Sequence, residues 1–431
     1  MADRKRIVVV GAGFAGLHAA RTAVRSTKGQ ADVVVVNPTD YFLYLPLLPE
    51  VSAGILEPRR ITVPLIRTLG GARLVLGDVD GVDTDERRVY FENPEGDRGS
   101  IRYDRLIFAP GSVNKLLPVP GVADHAHGFR SIAEALYLRD HIVRQLELAS
   151  TTSDPVEREA RCTFVVVGAG YTGTEVAAAC QLFSESAAKH LPNLHRQKIR
   201  WLLLDLAPNV LPGLDPRLGT AADEILRKRG VEVRMGTSVA EATADGVKLT
   251  DGEFVPTRTL AWCVGVRPDP LIESTGLPTQ EGRLTVDAWL NVPDHPDVYA
   301  AGDSAAVPDL TRPGEITPMT AQHAQRQGVQ AGKNVAASLG FGTGAQYKHH
   351  DLGFVVDLSG AKAAANPLGI PLSGFPAKVV TRGYHLLAMP GNHPRVVADW
   401  ILDAAFRRQV SQIGTVRGWA VPLDTDTGAE H

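Results

Sequence analysis

Two glycine-rich stretches are the first candidates for chemistry. Gly11-x-Gly13-x-x-Gly16, in RIVVVGAGFAG, and Gly168-x-Gly170-x-x-Gly173, in TFVVVGAGYTG, each follow a β-branched run and precede a run of small residues. In that context Gly11 and Gly168 permit a tight turn. Gly13 and Gly170 let a pyrophosphate approach the backbone, and Gly16 and Gly173 allow close packing of helix on strand. The phosphates would then lie at a helix N-terminus, where unpaired N–H groups and the helix dipole favour anions. One such motif is weak, but two in matching surroundings point to two dinucleotide sites.

The second strand of each unit should end in a group that binds ribose hydroxyls. IRWLLLD places Asp205 there in the second copy, where a carboxylate repels a 2′-phosphate and favours NADH over NADPH. ADVVVVN places Asn37 in the first, and its neutral amide makes a weaker bond. Further along, TPMTAQHAQRQG has the periodicity of a helix but carries Gln322, Gln325 and Gln327 where Glu and Lys are usual. Amides offer donors and acceptors without a charge that needs a counter-ion.

The elements that must position these residues form a duplication. Gly168 follows Gly11 by 157 residues, too far for a solenoid period, so the expected fold is α/β with two Rossmann-like dinucleotide-binding domains. Each copy returns through hairpin-like strands to a terminal glycine, Gly111 in the first and Gly265 in the second. The linkers around SVNKLLPVPG and VRPDP hold the prolines and glycines expected between domains, so the second copy should be inserted in the first. The expected boundaries are 1–118 and 258–340 for one domain, 119–257 for the inserted one, 341–414 for a C-terminal region and 415–431 for a disordered tail.

The strand end Ala301-Gly302-Asp303 resembles the third flavin motif of the two-dinucleotide flavoprotein reductases, in which the Asp holds the ribityl chain of FAD. PMTAQHAQRQG resembles the A-Q-x-A-x-Q segment of type II NADH dehydrogenases, matching at Ala321, Gln322 and Ala324 but carrying Arg326 at the last Gln position. The resemblance covers most of residues 1–340. It implies FAD bound by Gly11, Gly13, Phe14, Ala15 and Gly16 in the first loop, by Asn37, Ala109 and Gly111 at strand ends, and by Asp303. Pro46, in the apolar loop Asp40–Arg59, would line the flavin pocket, and Ala321 and Gln322 would approach the flavin edge and the acceptor. It implies NADH held by Gly168, Gly170, Tyr171, Thr172 and Gly173, with Asp205 and Gly265, and Glu175 beside the nicotinamide. Glu175 is open to a second reading as a carboxylate near a helix start, complementing the dipole. Catalysis would rest on Glu175 and Gln322, the reaction being transfer of electrons from NADH through FAD to a membrane quinone such as menaquinone.

Composition excludes several classes. The 431 residues are 44% hydrophobic with a net charge of −3 and no basic run, so nucleic acid is not an expected partner. MADRKRIVVVGAG moves straight into a strand, so no secretory signal is expected and the expected location is the cytoplasmic side of the cell membrane, peripherally attached. Cys162, Cys180 and Cys263 form no CxxC or CxxxxC pair, which counts against a disulfide reductase and a sulfide:quinone oxidoreductase; a redox-sensing or scaffold flavoprotein remains an alternative. His323, His349 and His350 read as scattered surface histidines, and no metal is expected. In Gly391–Gly414, helical spacing puts Val396, Val397, Trp400, Ile401 and Ala404 on one face and Leu402, Phe406 and Ile413 on another. One stripe can dock on the protein while the other, with Arg395, Arg407 and Arg408, meets a bilayer surface; packing of both stripes within a homodimer is the alternative.

Overall fold

The computed structural model describes residues 4–423, which divide into two units. The first comprises residues 4–43, 62–113 and 267–350; the second comprises 44–61, 114–266 and 351–423. The junctions therefore fall at 113/114 and 266/267, and the segments 44–61 and 351–423 group with the inserted copy.

In the first unit a six-stranded sheet runs in the order Asn291–Val292, His295–Ala300, Arg105–Phe108, Arg6–Val10, Asp32–Asn37, Arg73–Leu76. All its pairings but the first are parallel. Ile7 to Val10 and Val33 to Val36 are buried, which is why those strands read as continuous apolar runs and not as alternations. The Phe14–Ser26 helix packs on the Ala321–Ser338 helix through glycine. A Cβ at Gly328 would lie 2.1 Å from the Ala15 carbonyl oxygen, and one at Gly332 would lie 2.5 Å from that of Ala19, so neither position accepts a side chain.

The second unit holds a four-stranded parallel sheet in the order Val231–Met235, Arg200–Asp205, Thr163–Val167, Thr259–Trp262. The Ile132–Thr151 helix starts at a reciprocal cap: Ser131 accepts from the Glu134 N–H, and the Glu134 carboxylate accepts from the Ser131 N–H. The C-terminal part adds strands Val355–Asp357, Ala363–Ala365 and Leu372–Ser373 and helices Gly374–Ala388 and His393–Ala405.

Three expectations change. The helix expected across 391–414 stops at Ala405, because Phe406 takes an extended backbone (φ −127°, ψ 163°), so Phe406 and Ile413 do not extend one helical stripe with Leu402. The tail is placed as far as residue 423: Gly418–Ala420 makes a 3-10 turn and Leu423 is buried with Val122, Leu202 and Trp262. The rest of the expected disordered tail, 424–431, lies outside the described residues. The loop Asp40–Arg59 contains regular turns, since Pro46 and Pro49 stand in the first turns of short helices Leu45–Leu47 and Leu48–Ser52, where a missing N–H removes no helical bond.

Candidate active site

The first unit builds an anion cradle. Gly11 has φ +84°, and a Cβ on it would stand 2.3 Å from the Ala109 carbonyl oxygen; one on Gly16 would stand 1.9 Å from that of Gly11. Above Gly13 no atom lies within 4 Å of a would-be Cβ, so the loop faces open space at the position where a pyrophosphate must approach. Asn37, at the end of its strand, accepts from the Ala12 N–H through Oδ1 at 2.7 Å and donates through Nδ2 to the Thr39 carbonyl and hydroxyl oxygens at 2.8 and 3.1 Å. Both donor hydrogens are committed, so only Oδ1 remains to serve a ribose.

Asp303 stands in a 3-10 turn whose every side is fastened. The Ser112 hydroxyl donates to Asp303 Oδ2 at 2.7 Å, and the Gly111 N–H donates to Ser304 Oγ at 2.9 Å. Gly302 has φ +77°, and a Cβ there would come within 2.9 Å of Ala15 Cβ. Its N–H donates to Gln327 Oε1 at 2.8 Å, while Gln327 Nε2 donates to Thr317 Oγ1 at 2.9 Å. Gln327, 1% exposed, is thus the amide that locks the flavin-motif turn, a task its place one residue beyond the family's last Gln did not disclose. Arg326, which takes that family position, donates instead to the His350 carbonyl oxygen. Gln322 lies half-buried in the first turn of the Ala321–Ser338 helix, whose Thr320 cap accepts from the His323 N–H at 3.2 Å.

His350 is exposed, as expected of a surface histidine, but His323 and His349 are not scattered. His323 is buried, its ring stacks 3.8 Å from that of His349, and the Tyr347 hydroxyl hydrogen-bonds Nδ1 of both, at 3.0 and 3.2 Å. Among the described residues no group of three or more His, Cys, Asp and Glu side chains could hold a metal.

The second unit repeats the cradle. Gly168 has φ +103° with its would-be Cβ 2.2 Å from the Cys263 carbonyl oxygen, Gly173 is closed by the Gly168 carbonyl oxygen at 1.8 Å, and Gly170 again faces open space. Asp205 accepts from the Ala169 N–H at 2.6 Å and from the Ala207 N–H at 2.8 Å. Tyr171 and Thr172 open the helix that begins beyond Gly170, and Gly265, at φ +102°, ends the turn after the last strand.

Glu175 lies one turn inside that helix and is buried among acids. Its Oε1 accepts from the Asp357 N–H at 2.7 Å; the Asp357 carboxylate accepts from Lys378 Nζ at 2.7 and 2.5 Å; and Lys378 lies 3.8 Å from Glu50 Oε1. The Trp400 indole N–H donates to Glu50 Oε2 at 2.5 Å. Three carboxyl groups thus share one ammonium inside the protein, a balance that favours retained protons. Burial, reinforced by the nearby Asp357, pushes Glu50 up to about 7, and burial holds Glu175 well above the carboxylate range even against its hydrogen bond from Asp357. Beside them the Tyr44 hydroxyl bonds His385 Nδ1 at 3.1 Å, and burial lowers that imidazole to about 4, so it stays neutral. Glu50, Asp357 and Lys378 come from sequence-distant elements, and no local pattern marks them.

The cysteines are inert by environment: burial pushes Cys162 up to about 11, Cys180 to about 12 and Cys263 higher still, so a thiolate nucleophile is not provided.

The cradles fit FAD and NADH, in that each offers an open glycine where the diphosphate goes, a strand-end polar group beside it and, in the first, a fixed carboxylate at Asp303. The model of the pyridine nucleotide-disulphide oxidoreductase family matches residues 5–328. The type II NADH:quinone oxidoreductase Ndh of Mycobacterium tuberculosis is 31% identical, covering 90% of this chain and 85% of its own. An internal alternative NAD(P)H-ubiquinone oxidoreductase of Solanum tuberosum is 29% identical over 95% and 88%. The structure of NDH2 from Plasmodium falciparum in complex with NADH superposes with a TM-score of 0.87 at 17% identity, covering 95% of this chain and all of that one, which supports the fold. The chain therefore belongs to the type II NADH:quinone oxidoreductases, within the pyridine nucleotide-disulphide oxidoreductase family.

Proposed function

We propose that this chain oxidises NADH and reduces a membrane quinone, with FAD between them. The observation that carries this reading is the paired cradle: two Gly-Ala-Gly loops, each open at its middle glycine and each tied to a polar strand end, one of them joined by the fixed Asp303. FAD, when bound, supplies hydride acceptance and two-electron donation. The chain supplies positioning and protons. In this reading residues 1–118 and 258–340 serve FAD, residues 119–257 serve NADH and residues 341–414 meet the membrane.

Asp205 would accept from the ribose hydroxyls of NADH, Asp303 from the ribityl chain, and Gln322 would offer its amide to the acceptor or the flavin edge. Glu175 is assigned to the nicotinamide side; its burial favours the protonated form, which weakens the other reading weighed from the sequence, a carboxylate complementing the helix dipole. The overall reaction, NADH plus a quinone plus one proton giving NAD⁺ and the quinol, takes up a proton that NADH does not bring. Glu50, whose ordinary range is shifted to neutrality, can hold and release one.

Among the described residues no helix is long and apolar enough to cross a membrane. Attachment would instead be by exposed side chains: Leu387 is 90% exposed, Phe406 70% and Phe375 67%. Arg395 and Arg407 are exposed near them, whereas Arg408 is paired with Asp403 at 2.6 Å and is spent inside the protein. We assign this face to the cytoplasmic side of the membrane and menaquinone as the acceptor to try first; a homodimer is the competing use of the same side chains. Turnover of NADH by the purified, FAD-loaded protein with menaquinone in liposomes tests the reading, and equal NADH consumption with and without quinone would refute it.

A further inference from the structure

The Gly374–Ala388 and His393–Ala405 helices flank a groove of about 430 Å³ lined by Arg382, Val397, Trp400, Ile401, Ala404 and Ala405. Its one charged group is Arg382. The guanidinium carbon stands over the Trp400 ring, 4.6 Å from its centre, within reach of a cation–π interaction. Trp400 is itself fixed from below by its N–H bond to Glu50. Arg382 Nε is buried and has no hydrogen-bond partner among the described residues. Arg382, half-buried, thus brings a cationic fork to a lining that is otherwise Val, Trp, Ile and Ala.

Charge around the groove narrows the ligand. From Leu358 to Ala398 the sequence has no Asp or Glu, although the whole chain carries a net charge of −3, while Lys362, Lys378, Arg382 and Arg395 fall within it. Lys378 is consumed by Asp357; Lys362 and Arg395 are exposed. Asp399 and Asp403, next along the chain, are paired with Arg60 and Arg408. Exposed apolar side chains stand on the same two helices: Phe375, Val379 and Leu387 on the first, Ile401 and Leu402 on the second. A phosphate with acyl chains attached matches a fork donor set among apolar residues. A second copy matches poorly, because a two-fold interface would bring Arg382 and the exposed Arg395 towards their own copies.

We infer that this groove binds the headgroup of an anionic phospholipid, the phosphate engaging Arg382 over Trp400 while the acyl chains lie against Ile401 and the neighbouring apolar side chains. This deepens the membrane reading above and rests on it. The groove gives the attachment a lipid preference that apolar insertion alone lacks.

The test is co-sedimentation of the FAD-loaded protein with phosphatidylcholine vesicles and with vesicles in which one lipid in four is phosphatidylglycerol, at low and at raised salt. The parent should partition preferentially to the anionic vesicles. Arg382→Gln should lose about fivefold of that preference, the ratio corresponding to about 1 kcal/mol per basic side chain at an anionic surface, while binding neutral vesicles as the parent does, which also reports that it is folded. Arg382→Lys should fall between, since it restores the charge without the fork. Arg395→Gln is the comparison for diffuse attraction: its effect should vanish at raised salt while that of Arg382→Gln persists. Equal losses in the two Gln variants at both salts, or no anionic preference in the parent, would overturn the headgroup site and leave the membrane reading standing. No sedimentation with either vesicle would overturn both.

Discussion

Asn37 and Asp205 perform the same structural task in the two copies. Each ends the second strand of its sheet and accepts the backbone N–H of the alanine between the first two glycines of the loop, Ala12 at 2.7 Å and Ala169 at 2.6 Å. They differ in charge and in what remains to them. Asn37 spends both amide hydrogens on Thr39, whereas Asp205 is a carboxylate with acceptor capacity left for a ribose. The loop tie therefore does not need the charge, and the charge is available to select the nucleotide.

Asp205→Asn should keep the tie to the Ala169 N–H, as Asn37 keeps its own to Ala12, and lose the acceptor for the Ala207 N–H. It should narrow the advantage of NADH over NADPH by roughly fivefold to tenfold, for about 1 kcal/mol between a charged and a neutral acceptor. The ratio of kcat/KM for the two donors measures it. An unchanged ratio would remove Asp205 from donor selection.

Gln327→Ala should loosen the Asp303 turn. The Gly302 N–H is buried and would lose its acceptor, at a cost of about 1 to 3 kcal/mol. The expected outcome is a lower thermal midpoint together with flavin lost on gel filtration. Gln325→Ala, on the same helix but half-exposed, is expected to do neither.

This pair of outcomes bears on what was legible beforehand. The two cradles could be read because each is local: three glycines, one strand end and a helix start fall within one continuous stretch. The Asp303 turn could be read because its motif is contiguous. The function of Gln327 could not, because it depends on a backbone N–H 25 residues away. The acid cluster was hidden for the same reason, since Glu50, Glu175, Asp357 and Lys378 arrive from four separate elements. The helical stripe drawn through Phe406 failed at a backbone break that periodicity does not register, and His323 and His349 paired through Tyr347, which spacing alone did not join to them.

Glu50 makes stability depend on pH. Its folded value, about 7, lies above the ordinary 4.5, so between those values the folded protein binds more protons than the unfolded chain. Stability should therefore fall as pH rises through that window and this contribution should level off above it. Glu50→Gln keeps an acceptor for the Trp400 N–H and removes the titration. Thermal midpoints at pH 5 and pH 8 should differ less in the variant than in the parent; an equal difference would place the titration elsewhere.

Phe406→Glu should weaken attachment to liposomes of either charge while sparing turnover with a water-soluble quinone, because Phe406 is exposed and holds no part of either cradle. Unchanged liposome binding would take Phe406 out of the attached face.

The central claim is passage of electrons from NADH to quinone through one bound flavin, and sequential anaerobic mixing tests it most directly. The purified protein is mixed first with NADH and then with a soluble quinone, and the visible absorbance of the flavin is followed throughout. The expected result is rapid bleaching by NADH and rapid recovery on quinone, with Gln322→Ala slowing only the recovery, by roughly 5- to 100-fold for a lost bond of about 1 to 3 kcal/mol. Absence of flavin absorbance, or a bleached protein that quinone does not restore, would contradict it.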